Sequence, residues 1–203
     1  MLKKIPMTGI ILAGGKSSRM GKDKALLLLG EYTVLEHLGK LFDSMFEQTL
    51  IVVSDRTKYL SLDLPKSFFF EDLIKNRGPL AGLSTGFTHA TCPHCFVVSC
   101  DMPLLHESFI RSMIREWKDE PWDALCIENL EGVLEPFPAI YKRENRSLTR
   151  ILLELGHFSM HRFLEVISIN RWPVPREFRE LMINMNTPAE YHSVLEKKAL
   201  HER

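Results

Sequence analysis

Residues Leu12 to Ala25, LAGGKSSRMGKDKA, crowd a glycine pair, four cationic side chains and two serines into one short stretch. It directly follows an apolar run, Gly9 to Leu12, of the kind that forms a buried strand. Such a segment is poor core material and good anion-binding material. Glycine lets the backbone approach an oxyanion without a Cβ in the way, the exposed N–H groups donate to phosphate oxygens, and Lys or Arg supplies countercharge. A glycine pair directly after a strand is where phosphate sites form in α/β proteins.

Two familiar phosphate loops are excluded by spacing. A Walker loop needs four residues between its first glycine and Gly-Lys-Ser/Thr, whereas five separate Gly15 from Gly21, and Asp23 follows Lys22 where a magnesium-binding hydroxyl belongs. The dinucleotide pattern G-x-G-x-x-G fails because Gly14-Gly15 is followed by Lys-Ser-Ser-Arg.

Three later stretches also carry chemistry. Glu71-Asp72 leads into Gly78-Pro79-Leu80-Ala81-Gly82, Ser99-Cys100-Asp101-Met102-Pro103-Leu104 follows an apolar run, and Asn184-Met185-Asn186-Thr187-Pro188 precedes the last helical segment. Asp101 is a carboxylate at a strand end, a plausible anchor for Mg²⁺, which takes oxygen ligands and keeps several waters. Lys24 and Arg19 are the cations suited to a triphosphate: Arg grips two oxygens at once and Lys acts as a movable point charge. Lys16 and Lys22 read as solvated.

Taken together and in this order, the four stretches resemble the molybdenum cofactor guanylyltransferase (MobA) family, which joins GMP from GTP to molybdopterin. The resemblance runs from the start of the chain to near its end. It implies a three-layer, Rossmann-like α/β nucleotidyltransferase fold with a mostly parallel sheet, formed as a single domain over residues 1–203. It implies a nucleotide site at Leu12, Ala13, Gly14, Gly15, Lys24, Asp72, Gly78 and Asp101, with Arg19, Lys24 and Asp101 catalytic and Asp101 the Mg²⁺ ligand. Gly78 to Gly82 would wall the base. Glycine at position 14 is what guanine-using members carry, where CTP-using relatives commonly have alanine. GTP and molybdopterin are the implied substrates, and molybdoenzymes or their chaperones the implied protein partners. Asn186 is a candidate for ordering metal or substrate, though helix capping by this segment explains it nearly as well. One position departs from the family, Ser54-Asp55 standing where asparagine is common, and Glu135-Pro136-Phe137-Pro138 matches the pterin-side segment only approximately.

The elements that must position these residues alternate. Strands are expected at Gly9–Leu12, Thr49–Val53, Ser67–Phe70 and Phe96–Ser99, with helices at Thr33–Phe46, Leu80–His89 and Glu107–Trp117 between or after them. That alternation argues for βαβ units and a parallel sheet. In open sheets of this kind ligands bind beyond the carboxyl ends of the strands, where the glycine-rich stretch, Asp72 and Asp101 would meet. The second half reads as strands at Asp123–Ile127, Pro138–Tyr141 and Phe163–Ile169, helices at Leu148–Leu155 and Pro188–Leu200, and a break at Trp172–Pro175.

Composition sets the outer bounds. Basic and acidic residues balance at 26 each, so no global field favours nucleic acid or an anionic membrane, and phosphate recognition must be local. No apolar run reaches the ~20 residues a membrane span needs, which makes a cytoplasmic enzyme the expectation. Cys92-Pro-His-Cys95 lacks the second ligand pair that zinc requires and reads as packing. Rival readings remain at this level: transfer from CTP to molybdopterin, transfer to a sugar or alditol phosphate, or a non-catalytic molybdopterin or nucleotide carrier. Arg19, Lys24 and Asp101 argue against the carrier.

Overall fold

The computed structural model describes residues 3–14, 23–74 and 77–201. The first half contains β1 (Ile5–Leu12), the short hairpin β2 (Leu28–Leu29) and β3 (Tyr32–Thr33), α1 (Val34–Met45), β4 (Phe46–Val53), β5 (Phe69–Glu71) and α2 (Pro79–His89). There follow β6 (His94–Ser99), α3 (Glu107–Glu116), β7 (Ala124–Glu128), β8 (Leu134–Lys142), α4 (Arg146–Glu154), α5 (Met160–Leu164), β9 (Ile169–Pro173) and α6 (Pro188–His201). Short 3-10 turns lie between them, at Lys24–Leu26, Arg56–Tyr59 and Arg176–Met182 among others.

The central sheet has seven strands in the order β5-β4-β1-β6-β8-β7-β9. Every strand runs the same way except β8, which is antiparallel to both β6 and β7. Side chains alternate across this sheet with period two, and both faces are apolar. Ile11, Ile51, Val53, Phe96, Val98, Leu125 and Ile140 join the core beneath α1, α3 and α6. Ile10, Leu12, Leu50, Val52, Cys95, Val97, Cys126 and Tyr141 join a second core beneath α2, α4 and α5. The result is a three-layer α/β arrangement with the mostly parallel sheet that the alternating pattern predicts.

The helices form where apolar spacing and end signals agree. In α1, Val34, Leu35, Leu38, Phe42 and Met45 are buried on one face. Its start is a reciprocal capping box: the Glu36 amide donates to Thr33 Oγ1 at 3.2 Å and the Thr33 amide to Glu36 Oε2 at 2.8 Å. Helix α3 buries Phe109, Ile110 and Met113 in the same way.

The expected strand over Phe163–Ile169 is not observed. Met160, Phe163 and Leu164 instead form one face of α5 against the second core, an i, i+3, i+4 pattern that a short apolar run conceals. The strand begins only at Ile169 and continues through Trp172 to Pro173, where the sequence reads as a break. Strand β9 is at the edge of the sheet and pairs only with β7, so a proline at its end removes no ladder bond on the open side. The hairpin of β2 and β3 around Gly30-Glu31 is also additional to the sequence reading. Among the described residues no helix is long and apolar enough to cross a membrane.

Candidate active site

Because β5, β4, β1 and β6 are parallel neighbours, their carboxyl ends lie along one sheet edge. Backbone bonds extend that register past the strands. The Cys100 amide donates to the Leu12 carbonyl at 3.0 Å, the Ala13 amide to the Val52 carbonyl at 2.8 Å, and the Asp72 amide to the Val53 carbonyl at 2.8 Å. Gly14, Ser54, Asp72 and Asp101 are thereby set side by side along the edge. With strands spaced about 4.8 Å apart, Asp72 and Asp101 are separated by about 14 Å across the sheet.

Leu12 and Ala13 are the floor of this edge. Both side chains are buried, the Leu12 carbonyl is taken by Cys100, and the Ala13 amide is taken by Val52. Gly14 is the first exposed residue beyond them. Gly15 and Arg19 lie outside the described residues.

Lys24 sits on a 3-10 turn that Asp23 initiates, the Ala25 amide donating to Asp23 Oδ1 at 3.1 Å. The other Asp23 oxygen accepts from the Tyr59 hydroxyl at 2.6 Å. The Lys24 ammonium donates to Asn186 Oδ1 at 2.6 Å, and the neighbouring Met185 amide donates to the Asp101 carbonyl at 2.8 Å. One C-terminal segment therefore touches both Lys24 and the Asp101 turn. Its shape is fixed by Glu190, whose carboxylate accepts from the Asn186 and Thr187 amides, each at 2.7 Å, while the Glu190 amide donates back to Thr187 Oγ1 at 3.3 Å. The Asn186 amide is the main reason the Glu190 carboxyl is held below its ordinary pKa. So this segment both caps α6 and presents the Asn186 side chain to Lys24.

Cys100 records how close these charges are. Burial first, then the carboxylates of Asp101 and Asp23, push its thiol up to about 12, and the Lys24 ammonium pulls the other way. Asp23, Lys24 and Asp101 thus all act electrostatically on the partly exposed Cys100 thiol. No described residue donates a hydrogen bond to the Asp101 carboxylate.

Farther along the edge, Asp72 Oδ1 accepts from the Ile74 amide and the Thr85 hydroxyl, both at 3.1 Å. Burial raises its pKa, and these two donors oppose the rise. Thr85 also accepts from the Leu73 amide at 3.1 Å, so α2 holds the Asp72 turn from both sides. Gly78 precedes α2 at φ +77°, a conformation that favours glycine, and it is exposed. Gly82 does not face the edge with it. A Cβ there would point at the sheet, in ordinary contact with Leu12 Cδ2 at 3.4 Å and Val52 Cγ1 at 3.8 Å, so Gly82 faces the core and not the edge.

A cavity of about 310 Å³ opens beside the Asp101 turn. Its lining includes Met102, Glu135, Phe137, Arg179 and Asn184, together with Asn129 from the turn joining β7 and β8. Nothing in the sequence points to Arg179; Met102, Asn184 and the segment around Glu135 are its signals of this cavity. Ser54, also uncertain in the sequence, flanks Gly14, and Asp55 is occupied in starting the turn over Arg56–Tyr59, accepting from the Thr57 amide at 3.0 Å. Cys92 and Cys95 are buried free thiols at the start of β6, and burial pushes Cys95 up to about 12.

Residues 9–170 match the family of MobA-like NTP transferase domains. The chain belongs to that family. The transferase is 31% identical over 201 residues to a Carboxydothermus hydrogenoformans protein named "Probable molybdenum cofactor guanylyltransferase", with 97% of this chain and 98% of that protein covered. It is 34% identical over 161 residues to the molybdenum cofactor guanylyltransferase of Syntrophotalea carbinolica, with coverage of 79% and 75%. Its fold is shared with the crystal structure of molybdopterin-guanine dinucleotide biosynthesis protein A from Archaeoglobus fulgidus, at a TM-score of 0.81 and 24% identity over 95% of this chain and 99% of that one. The transferase is accordingly a nucleotidyltransferase, and Gly14, Asp72 and Asp101 of its motifs stand along the carboxyl edge of its sheet.

Proposed function

We propose that the enzyme transfers GMP from GTP to the terminal phosphate of molybdopterin, forming the guanine dinucleotide and releasing pyrophosphate. The observation that carries this reading is the convergence of Lys24, Asn186 and Asp101 at the end of β6, next to the cavity that Met102 and Asn184 line. The acceptor's phosphate is largely ionised near neutral pH, its second pKa being about 6, so no strong general base is needed. An acceptor oxygen forms a bond to the α-phosphorus as the bond from that phosphorus to the bridging oxygen of the β-phosphate breaks. Charge grows on the departing pyrophosphate, and a fixed ammonium at Lys24 stabilises it more than the ground state. Arg19 would add a two-pronged contact to the same phosphates.

Asp101 is the residue that would hold a divalent cation, Mg²⁺. It offers hard carboxylate oxygen with no competing donor among the described residues. No group of three or more His, Cys, Asp or Glu among those residues could hold a metal, which suits a cation that takes one or two protein carboxylates and completes its shell from phosphates and water. When bound, such a cation supplies further countercharge to the phosphate oxygens.

Base selection is assigned to Gly14 and Asp72. Among the described residues, a Cβ on Gly14 would meet nothing nearer than the Ser54 amide nitrogen at 3.5 Å, an ordinary contact that leaves room for alanine against them. The missing methyl is space left for the ligand, which favours the larger purine. Asp72 offers an acceptor for the N–H donors of guanine. The cavity receives the pterin, Phe137 and Met102 meeting its flat faces, Glu135 and Asn184 its polar edge, and Arg179 its phosphate. Competition among the four nucleoside triphosphates in the presence of molybdopterin tests the reading. Gly14→Ala is expected to lose preference for GTP while unfolding at the wild-type temperature; unchanged preference would remove Gly14 from base selection.

A further inference from the structure

The Tyr59 hydroxyl lies 2.6 Å from Asp23 Oδ2 and 3.3 Å from the Ala13 carbonyl oxygen. Those two partners bracket the glycine-rich stretch in sequence: Ala13 ends the strand side and Asp23 immediately precedes Lys24. Tyr59 itself comes from neither segment. It ends the 3-10 turn after β4, which Asp55 starts by accepting from the Thr57 amide at 3.0 Å and the Thr57 hydroxyl at 2.6 Å. Its ring is 1% exposed and stacks on Phe69 at the head of β5, with centroids 6.1 Å apart and planes 15° apart. Packing therefore fixes the ring, and the hydroxyl is the only group it sends to the site edge.

A phenol donates one proton, and both neighbours are acceptors. The carboxylate is charged and nearer, so it accepts the hydrogen bond, with the Ala13 carbonyl as a weaker second acceptor. Burial and the Asp23 carboxylate both raise the phenol's pKa, so the donor keeps its proton throughout the neutral range. With Oδ2 held by Tyr59 and Oδ1 held by the Ala25 amide, Asp23 has no freedom to swing, and the backbone that launches Lys24 toward Asn186 is fixed.

We infer that Tyr59 is a positioning residue for nucleotide binding: its hydroxyl clasps Asp23 against the end of β1 and so sets where the Lys24 ammonium meets the triphosphate. This rests on the transfer reading above for its nucleotide, and on geometry alone for its clasp. It makes no contact with substrate in this role.

Tyr59→Phe removes the hydroxyl and keeps the buried stack. The expected result is a KM for the nucleotide about tenfold higher, the scale of a hydrogen bond to a charged group, with the KM for molybdopterin unchanged and turnover recovering at high nucleotide. A general loosening of the fold would move both KM values. Asp23→Asn should raise the nucleotide KM similarly, and the double variant should be no worse than the poorer single variant, because both break one contact. A second arm follows amide exchange at Ala25 in the protein without substrates, where Tyr59→Phe should exchange several-fold faster. An unchanged nucleotide KM in folded Tyr59→Phe, additive effects in the double variant, or unchanged Ala25 exchange would each overturn the assignment. If the wild type transfers no nucleotide, the transfer reading fails and the Ala25 arm alone decides the clasp. Should Tyr59→Phe not fold, Asp23→Asn carries both arms.

Discussion

The Lys24 ammonium and the Asn186 side-chain oxygen, 162 positions apart in the chain, meet at 2.6 Å on the carboxyl edge of the sheet. On the proposed reading, the contact makes the C-terminal segment part of the nucleotide site. An amide oxygen orients the ammonium through a hydrogen bond without pairing it with an opposite charge. Asn186→Ala should lower kcat/KM about ten- to a hundredfold, the range for losing a hydrogen bond to a charged group. Its unfolding temperature should stay near the wild-type value, since the Asn186 and Thr187 amides still donate to Glu190. Steady-state kinetics with thermal unfolding separates the two.

Asp101→Asn keeps the shape of the turn, which the Met185 amide holds through the Asp101 carbonyl rather than through the side chain. Metal-dependent transfer should fall by at least about a hundredfold, as expected when a group facing transition-state charge is removed. Circular dichroism should be unchanged. Activity close to wild type across a magnesium titration would show that Asp101 is not the metal ligand.

Asp72 predicts a pH effect whose sign follows from burial. Its folded pKa is raised, so the native state holds that proton more tightly than the unfolded chain does. The stability contribution from this group is present below the unfolded pKa and is lost as pH rises through the folded one. Nucleotide recognition runs the other way, because only the ionised carboxylate accepts on both oxygens. GTP binding should weaken as pH falls through this raised pKa, and Asp72→Asn should bind more weakly without that inflection. Binding measured by calorimetry is the suitable readout, since turnover also reports the acceptor phosphate, whose second pKa is about 6.

Arg179 lines the cavity beside Met102 and Asn184, away from the Asp72 end of the edge. Arg179→Ala should raise the KM for molybdopterin by about tenfold or more, from loss of a charge-assisted contact to its phosphate, and leave the KM for GTP in place. Equal effects on both substrates would argue against an acceptor site in this cavity.

How far the site could be read from sequence depended on whether its parts are local. Gly14, Asp72 and Asp101 each follow a strand within a few residues, and a parallel sheet brings such positions to one edge without further information, whereas Lys24 lies well past β1 and was legible only as a cation of the glycine-rich stretch. The pairing of Lys24 with Asn186 and of Tyr59 with Asp23 depends on how distant segments pack, and neither leaves a periodic signal. Tyr59 in particular reads as an ordinary core aromatic, because its ring is one. Phe163 was misplaced for a related reason: four or five apolar residues fit a strand and a buried helix equally well until the neighbours that cover them are known. The cavity near Arg179 required the β7–β8 turn and the Arg176–Met182 turn to be placed together, which no local motif predicts.

The most direct measurement is incubation of the wild-type enzyme with molybdopterin and each of the four nucleoside triphosphates in turn, with pyrophosphate and dinucleotide quantified in the same reaction. Efficient, magnesium-dependent turnover with GTP alone, yielding one pyrophosphate per guanine dinucleotide, is the predicted result. Preference for CTP or UTP, or saturable GTP binding with no pyrophosphate released, would contradict the account.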